Sequence, residues 1–283
     1  MSDEVVDEVI QKVAEAAPHI SSGLMHRREY VGEENPSDEK MMEADVWANE
    51  FFKEKITSID GVGEFASEEE HEITDCGEGL SVAIDPLDGS SNIPTNNLVG
   101  TIVCIYDERL PCSGENLVAA FYILYGPLTT VTVAREGQVN EYVIEESPGD
   151  DVDLYMASED IRIEGKNIYG LGGNKAWFDD VEDLESELAD DLKLRYGGAL
   201  VGDFNQMLHH GGVFGYPAKE GYENGKYRIL FEGNPMAFIA EAAGGASTNG
   251  ERSILEVEVD DIHQRTPFYA GQKELVQRVE EHL

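Results

Sequence analysis

Five apolar, β-prone runs, at 81–84, 99–106, 117–125, 128–134 and 139–144, most constrain how this 283-residue chain can fold. Gly126-Pro127 and Glu136-Gly137 punctuate the last three runs, which predicts an antiparallel meander. Upstream, Val5, Val6, Val9, Ile10, Val13 and Ala17 recur at helical spacing and predict an amphipathic helix over 3–17. Residues 25–35 read as a loop, and Pro36-Ser37-Asp38 as the start of a second helix running to about Ile56. Within that helix Asp45 has Met41, Met42 and Ala48 as its i−4, i−3 and i+3 neighbours, so a carboxylate stands in an apolar stripe. Taken alone, this reads equally well as a helix-edge residue reaching solvent.

Past the polar "GDDVD" (149–153) the pattern changes. It predicts a strand near 167–171, an acidic helix over 179–191, a helix over 199–209, strands at 213–216 and 227–231, and a helix over 235–243. Asn234 suits the N-cap of that last helix and Pro235 its first turn. Gly197-Gly198 reads as a tight turn, His209-His210 as a helix end and Cys104 as a core residue of a strand. Strand–helix alternation makes the C-terminal half α/β, while the N-terminal half is α+β. The expected division is an N-terminal domain over 1–157 and a C-terminal domain over 158–283.

With 58 acidic and 20 basic residues the net charge is −38. Such a field repels nucleic acid and anionic membrane surfaces. The acids are spread between apolar positions rather than gathered in a tail, the pattern of a solvated surface suited to high salt, where self-repulsion is screened. No 12-residue loop of calcium-binding spacing argues for an acidic calcium buffer. Cys76, Cys104 and Cys112 form no paired or metal-binding pattern, which points to reduced thiols in a cytosol. The acidic start and the lack of a long apolar run fit a cytoplasmic protein.

Acidic residues recur at the ends of apolar elements. Glu68 and Glu69 follow "GVGEFAS", Asp85 and Asp88 follow "SVAI", and Glu232 follows "YRILF". Three such ends can converge at one sheet edge, and oxygen ligands without histidine or cysteine favour Mg²⁺ or Mn²⁺ over zinc. In so acidic a chain, acids also fall at strand ends by chance. "DGSSN" strengthens the functional reading. It places Gly89, Ser90 and Ser91, with free backbone N–H groups and hydroxyls, beside the two aspartates as an anion cradle. Metal beside a phosphate cradle describes phosphoryl transfer. Lys226, Arg228 and Arg195 are locally placed cations that could hold a bisphosphate against the global field, or could be ordinary surface residues.

"DPLDGSSNI" (85–93) resembles the metal-site signature of class I fructose-1,6-bisphosphatases and, more loosely, an element of the wider inositol-monophosphatase superfamily. "ASEEE", "RYGGALVGDFNQMLHHGGVFGYPA", "GKYRILFEGNPMAFIAEAAGGAST" and "DIHQRTPFYAG" resemble further segments of that family in its order. The resemblance implies a layered α/β/α/β/α sandwich and Mg²⁺-dependent hydrolysis of the 1-phosphate of fructose 1,6-bisphosphate, a gluconeogenic step. It implies two or more Mg²⁺ ions, with Mn²⁺ the alternative, held by Glu68, Glu69, Asp85, Asp88, Glu232 and the carbonyl of Leu87. Asp45 falls on an aspartate that works with Glu69 to activate water. Gly89, Ser90 and Ser91 match the cradle for the phosphate being cleaved, and Tyr196, Tyr216 and Lys226 the grip on the sugar and its second phosphate. Arg195 matches an arginine that reaches a neighbouring subunit's site, implying a homo-oligomer, a tetramer or a dimer.

The chain departs from the family pattern in places. Asp107 and Gly79-Leu80 stand where regulated members bind AMP, and the chain starts later than theirs, so AMP inhibition is not expected. Pro94 replaces an acidic residue after "SSNI". The sugar-binding asparagine falls on Gly172 or on Asn174, the latter a spacing similar to that of sedoheptulose-1,7-bisphosphatases. A broad inositol-monophosphatase-like enzyme and a non-catalytic acidic ion-binding protein are the other readings.

Overall fold

The apolar stripe of the first 23 residues and the buried strand runs fix how the chain layers. The computed structural model describes residues 2–36, 40–147, 151–173 and 176–283. Helix α1 (Ser2–Gly23) buries Val6, Val9, Val13, Ala17 and Ile20. It outruns the expected 3–17 because Ile20 carries the stripe past Pro18. Strands β1 (Tyr30–Glu34) and β2 (Lys40–Met42) form a hairpin in place of the expected loop. Helix α2 (Glu43–Thr57) therefore starts later than Pro36, and of its expected start Ser37 and Asp38 lie outside the described residues.

Strands β3 (Val62–Ser67), β4 (Thr74–Asp75), β5 (Leu80–Asp88), β6 (Val99–Tyr106), β7 (Leu117–Tyr125), β8 (Thr129–Arg135), β9 (Gln138–Glu146) and β10 (Val152–Ser158) form one eight-stranded sheet. Its order is β10-β9-β8-β7-β6-β5-β3-β4, antiparallel except for the β3–β5 pair. The expected meander is β7-β8-β9. Every residue of β6 is buried, Cys104 included. Of the polar break at 149–153, Gly149 and Asp150 lie outside the described residues, and Val152 onward is an edge strand.

The second half supplies β11 (Ile168–Leu171), α3 (Asp179–Asp191), β12 (Lys193–Leu194), α4 (Leu200–His210), β13 (Gly212–Tyr216), β14 (Tyr227–Arg228), α5 (Asn234–Ala242), β15 (Ala246–Thr248), β16 (Arg265–Thr266), β17 (Phe268–Gly271) and α6 (Lys273–His282). A five-stranded mixed sheet runs β12-β11-β13-β17-β15, while β14 pairs with β16. The run expected as a strand over 227–231 keeps only β14, because Ile229–Gly233 winds into a single π-turn. That turn runs directly into α5, so Asn234 is already helical and Gly233, not Asn234, precedes the helix.

Five layers result. α1 and α2 cover one face of the large sheet through a core that includes Phe52, Phe65, Val103 and Phe121. α4 and α5 fill the space between the two sheets with Phe204, Met207, Met236 and Ile239. α3 and α6 close the outer face of the smaller sheet with Leu184, Leu188, Leu275 and Val279. Burial of these apolar side chains is the main favourable term holding the layers together. No helix among the described residues is long and apolar enough to cross a membrane.

Candidate active site

Three chain segments deliver carboxylates to one place. The parallel pairing of β3 with β5 sets Ser67 beside Ile84, and the Glu68 N–H donates to the Ile84 carbonyl at 3.0 Å. Glu68 and Asp85 therefore leave adjacent strand ends together. Glu232 comes from the π-turn, and its carboxylate folds back to accept the Arg228 N–H at 2.8 Å. One oxygen from each of Glu68, Asp85 and Glu232 lies within 4.8 Å of the others, and all three residues are buried.

Asp88 is held by the start of α4, where the Val201 N–H donates to Oδ2 at 2.8 Å. The Leu87 N–H donates to Asp85 Oδ1 at 3.0 Å, which tightens the turn between the two aspartates. Gly89 follows with φ +76°, and a Cβ there would stand 2.4 Å from Ala199 Cβ, so only glycine fits against the α4 entry. A six-residue 3₁₀ turn, Ser90–Thr95, continues from it and contains Pro94. Asn92 and Asn97 both donate to the Gly197 carbonyl, at 3.1 and 2.9 Å, joining this turn to the segment after Tyr196.

Asp45 is 4% exposed, not a residue at the solvent edge of its helix. Its Oδ2 accepts the Met42 N–H at 2.7 Å, so it closes the first turn of α2 while facing the site.

The electrostatics follow from burial and crowding. Desolvation, then the charges of Glu68, Asp88 and Glu232, push the Asp85 carboxyl well above its ordinary range. Burial pushes Asp88 up to about 7 against the backbone donors of α4. Burial and the Glu68 charge push Glu232 up to about 8, against the pull of Arg228. Arg228, 2% exposed, places Nη1 2.8 Å from Glu68 Oε1 and 3.5 Å from Glu232 Oε2. One guanidinium does not neutralise this group, and like charges so close cannot all ionise without another cation. All the converging donors are oxygens, so the residues present fit a hard divalent ion.

Glu68, Asp85 and Glu232 line a cavity of about 650 Å³ that Asp45, Glu69, Leu87 and Asp88 also border. Gly89, Ser90 and Ser91 form one wall, and Tyr196, Tyr216 and Lys226 another. The Lys226 ammonium sits 5.7 Å from the Tyr216 ring centroid, and Tyr216 packs on Tyr227 at 4.9 Å. Arg195 is exposed and not on the cavity, and Asn174 lies outside the described residues. The sequence reading missed Tyr30, Asn35, Lys40 and Met41, which the β1–β2 hairpin and the α2 entry bring to the rim. It also missed Asp203, whose two oxygens accept the Gly197 and Gly198 N–H groups at 2.6 and 3.0 Å. Its place one turn into the helix, after a glycine pair, was the available signal.

Residues 10–154 match the model of the fructose-1,6-bisphosphatase N-terminal domain, and residues 163–283 that of the C-terminal domain. The chain belongs to the fructose-1,6-bisphosphatase family. It is 45% identical over 283 residues to the class 1 fructose-1,6-bisphosphatase of Natronomonas pharaonis, covering 98% of each chain. It is 41% identical to a class 1 fructose-1,6-bisphosphatase of Haloarcula marismortui, covering 100% of this chain and 96% of that one. Such halophilic relatives accord with the dispersed acidic surface. Among solved structures, Leishmania major fructose-1,6-bisphosphatase in holo form superposes with a TM-score of 0.91 at 25% identity, covering 100% of this chain and 95% of that one. The five layers are those of this family's fold.

Proposed function

We propose that this chain removes the 1-phosphate of fructose 1,6-bisphosphate, giving fructose 6-phosphate and phosphate, as a gluconeogenic hydrolase of the cytoplasm. The observation that carries this reading is the convergence of Glu68, Asp85 and Glu232 beside the Gly89–Ser91 turn, in one cavity with Lys226. Glu68, Glu69, Asp85, Asp88, Glu232 and the Leu87 carbonyl are the groups that would hold two or more Mg²⁺ ions, Mn²⁺ being the alternative. When bound, the ions supply Lewis-acid polarisation of the phosphoryl group and lower the pKa of an attacking water.

The chain's own residues do the rest. Backbone N–H groups and hydroxyls of Gly89, Ser90 and Ser91 hold the phosphate to be cleaved. Asp45 and Glu69 take the proton of the attacking water. Tyr196, Tyr216 and Lys226 orient the sugar and the distal phosphate, with Asn174 a further sugar contact. The two-residue strand β12 ends immediately before exposed Arg195, a position suited to reaching a second copy in a homotetramer or dimer. In this division, residues 1–157 supply most of the metal site and 158–283 most of the grip on the sugar.

Phosphate release by the purified protein, in molar KCl with Mg²⁺, tests the substrate. We expect fructose 1,6-bisphosphate to be turned over with the highest kcat/KM. Preference for sedoheptulose 1,7-bisphosphate or for monophosphates would overturn the assignment.

A further inference from the structure

The segment Glu68–Glu70 and the π-turn that carries Glu232 belong to different halves of the chain, and one side chain outside the cavity touches both. His263 Nε2 lies 2.8 Å from the backbone carbonyl of Glu70. A carbonyl oxygen only accepts, so Nε2 carries the proton and donates. The other ring nitrogen, Nδ1, is buried with no hydrogen-bond partner. A ring needed only for packing would do better as phenylalanine, which buries no lone pair. The imidazole is therefore present for the bond that it makes.

That bond falls on the segment Glu68-Glu69-Glu70. The Glu70 side chain is gripped from α2 as well, by Asn49 Nδ2 at 3.0 Å and Lys53 Nζ at 2.6 Å. The His263 ring also meets Phe231, the residue before Glu232, with centroids 5.6 Å apart. The backbone around His263 is tied to the same element: Ile229 N–H donates to the Gln264 carbonyl at 2.8 Å, and Arg265 pairs with Arg228. The turn before β16 thus carries the π-turn on its backbone and reaches the Glu68–Glu70 segment with one ring.

We propose that His263 is a positioning residue that fixes the Glu68–Glu70 segment relative to Glu232, and so sets the spacing of carboxylates contributed by the two halves. The proposal rests on the reading of those carboxylates as a metal site. Arg228 holds Glu68 and Glu232 at their tips, and His263 holds the backbone behind them.

The test is Mn²⁺ binding to the full-length purified protein in molar KCl, by calorimetry or electron paramagnetic resonance, for wild type, His263→Phe, His263→Gln and Glu232→Gln. His263→Phe keeps a ring and loses the donor, and we expect it to bind Mn²⁺ about tenfold more weakly or worse. His263→Gln places an amide donor near the Nε2 position and should recover most of that loss. In turnover, His263→Phe should raise the half-saturating Mg²⁺ concentration while leaving the KM for substrate near wild type. Wild-type Mn²⁺ affinity in His263→Phe, with Glu232→Gln impaired, overturns the positioning role alone. Wild-type affinity in Glu232→Gln as well overturns the metal-site reading and this proposal with it. Should His263→Phe not fold, His263→Gln against His263→Asn decides. The shorter asparagine should fail where glutamine succeeds, and equal affinities would contradict the proposal.

Discussion

Arg228 Nη1 stands 2.8 Å from Glu68 Oε1, and both side chains are almost closed to solvent. Arg228 thus puts a buried cation inside the carboxylate group itself. Removing one partner of a buried charge set leaves the others uncompensated, at a cost of roughly 3–5 kcal/mol. Arg228→Met should therefore destabilise the metal-free protein by about that amount in urea denaturation. The loss should be greatest above the Glu232 pKa of about 8 and should shrink when Mg²⁺ is added. An unchanged midpoint without metal would show that the carboxylates do not depend on this cation.

The raised carboxyls make metal-free stability depend on pH with a definite sign. Asp88 rises from 3.8 to about 7 and Glu232 from 4.5 to about 8, and Asp85 also rises. The folded state then binds more protons than the unfolded state between the two sets of values. The contribution to stability is complete below the unfolded values and is lost as pH rises through the folded ones. Asp203, pushed up to about 6 by burial, acts in the same direction, while His263, lowered by burial, acts against it. In the presence of EDTA the unfolding midpoint should fall as pH rises through these folded values, and excess Mg²⁺ should flatten the fall. A midpoint that rises across that window would contradict the account.

Lys226 tests whether the cavity is built for a second phosphate. A hydrogen bond to a charged group contributes about 1.5–3 kcal/mol, so Lys226→Ala should raise the KM for fructose 1,6-bisphosphate about tenfold to a hundredfold. Hydrolysis of a sugar monophosphate should be nearly unaffected. Equal loss on both substrates would place Lys226 at the cleaved phosphate instead.

Gly89 tests the phosphate wall. At φ +76°, with Ala199 Cβ 2.4 Å from where an alanine Cβ would stand, Gly89→Ala must move either the Ser90–Ser91 turn or the entry to α4. A displacement of this order should lower kcat/KM by about a hundredfold. Wild-type kinetics in a folded Gly89→Ala protein would remove the turn from the chemistry.

The strands were legible where burial on both faces left unbroken β-branched and aromatic runs, as in "VGTIVCIY" of β6. The β1–β2 hairpin was not, because Tyr30 is 55% exposed and its glutamates and lysine carry no alternating pattern. The run at 227–231 has the composition of a strand. It pairs with β16 only at Tyr227 and Arg228 before Ile229–Gly233 winds into the π-turn, which strand composition does not register. Asp45 was singled out for a helical apolar stripe with Met41 and Met42, but these lie in β2, and it is buried because it caps the first turn of α2 at Met42. The partnerships of Arg228 with Glu68 and of His263 with Glu70 join distant segments, and nothing local in the sequence announces them.

The central claim is that the buried carboxylates of Glu68, Asp85 and Glu232 form the metal-dependent phosphatase centre. Its most direct test is Mg²⁺-dependent phosphate release from fructose 1,6-bisphosphate by Asp85→Asn in molar KCl, beside circular dichroism of the same sample. The account predicts a native spectrum with activity reduced by about a thousandfold or more. A folded Asp85→Asn protein with full Mg²⁺-dependent turnover would contradict it.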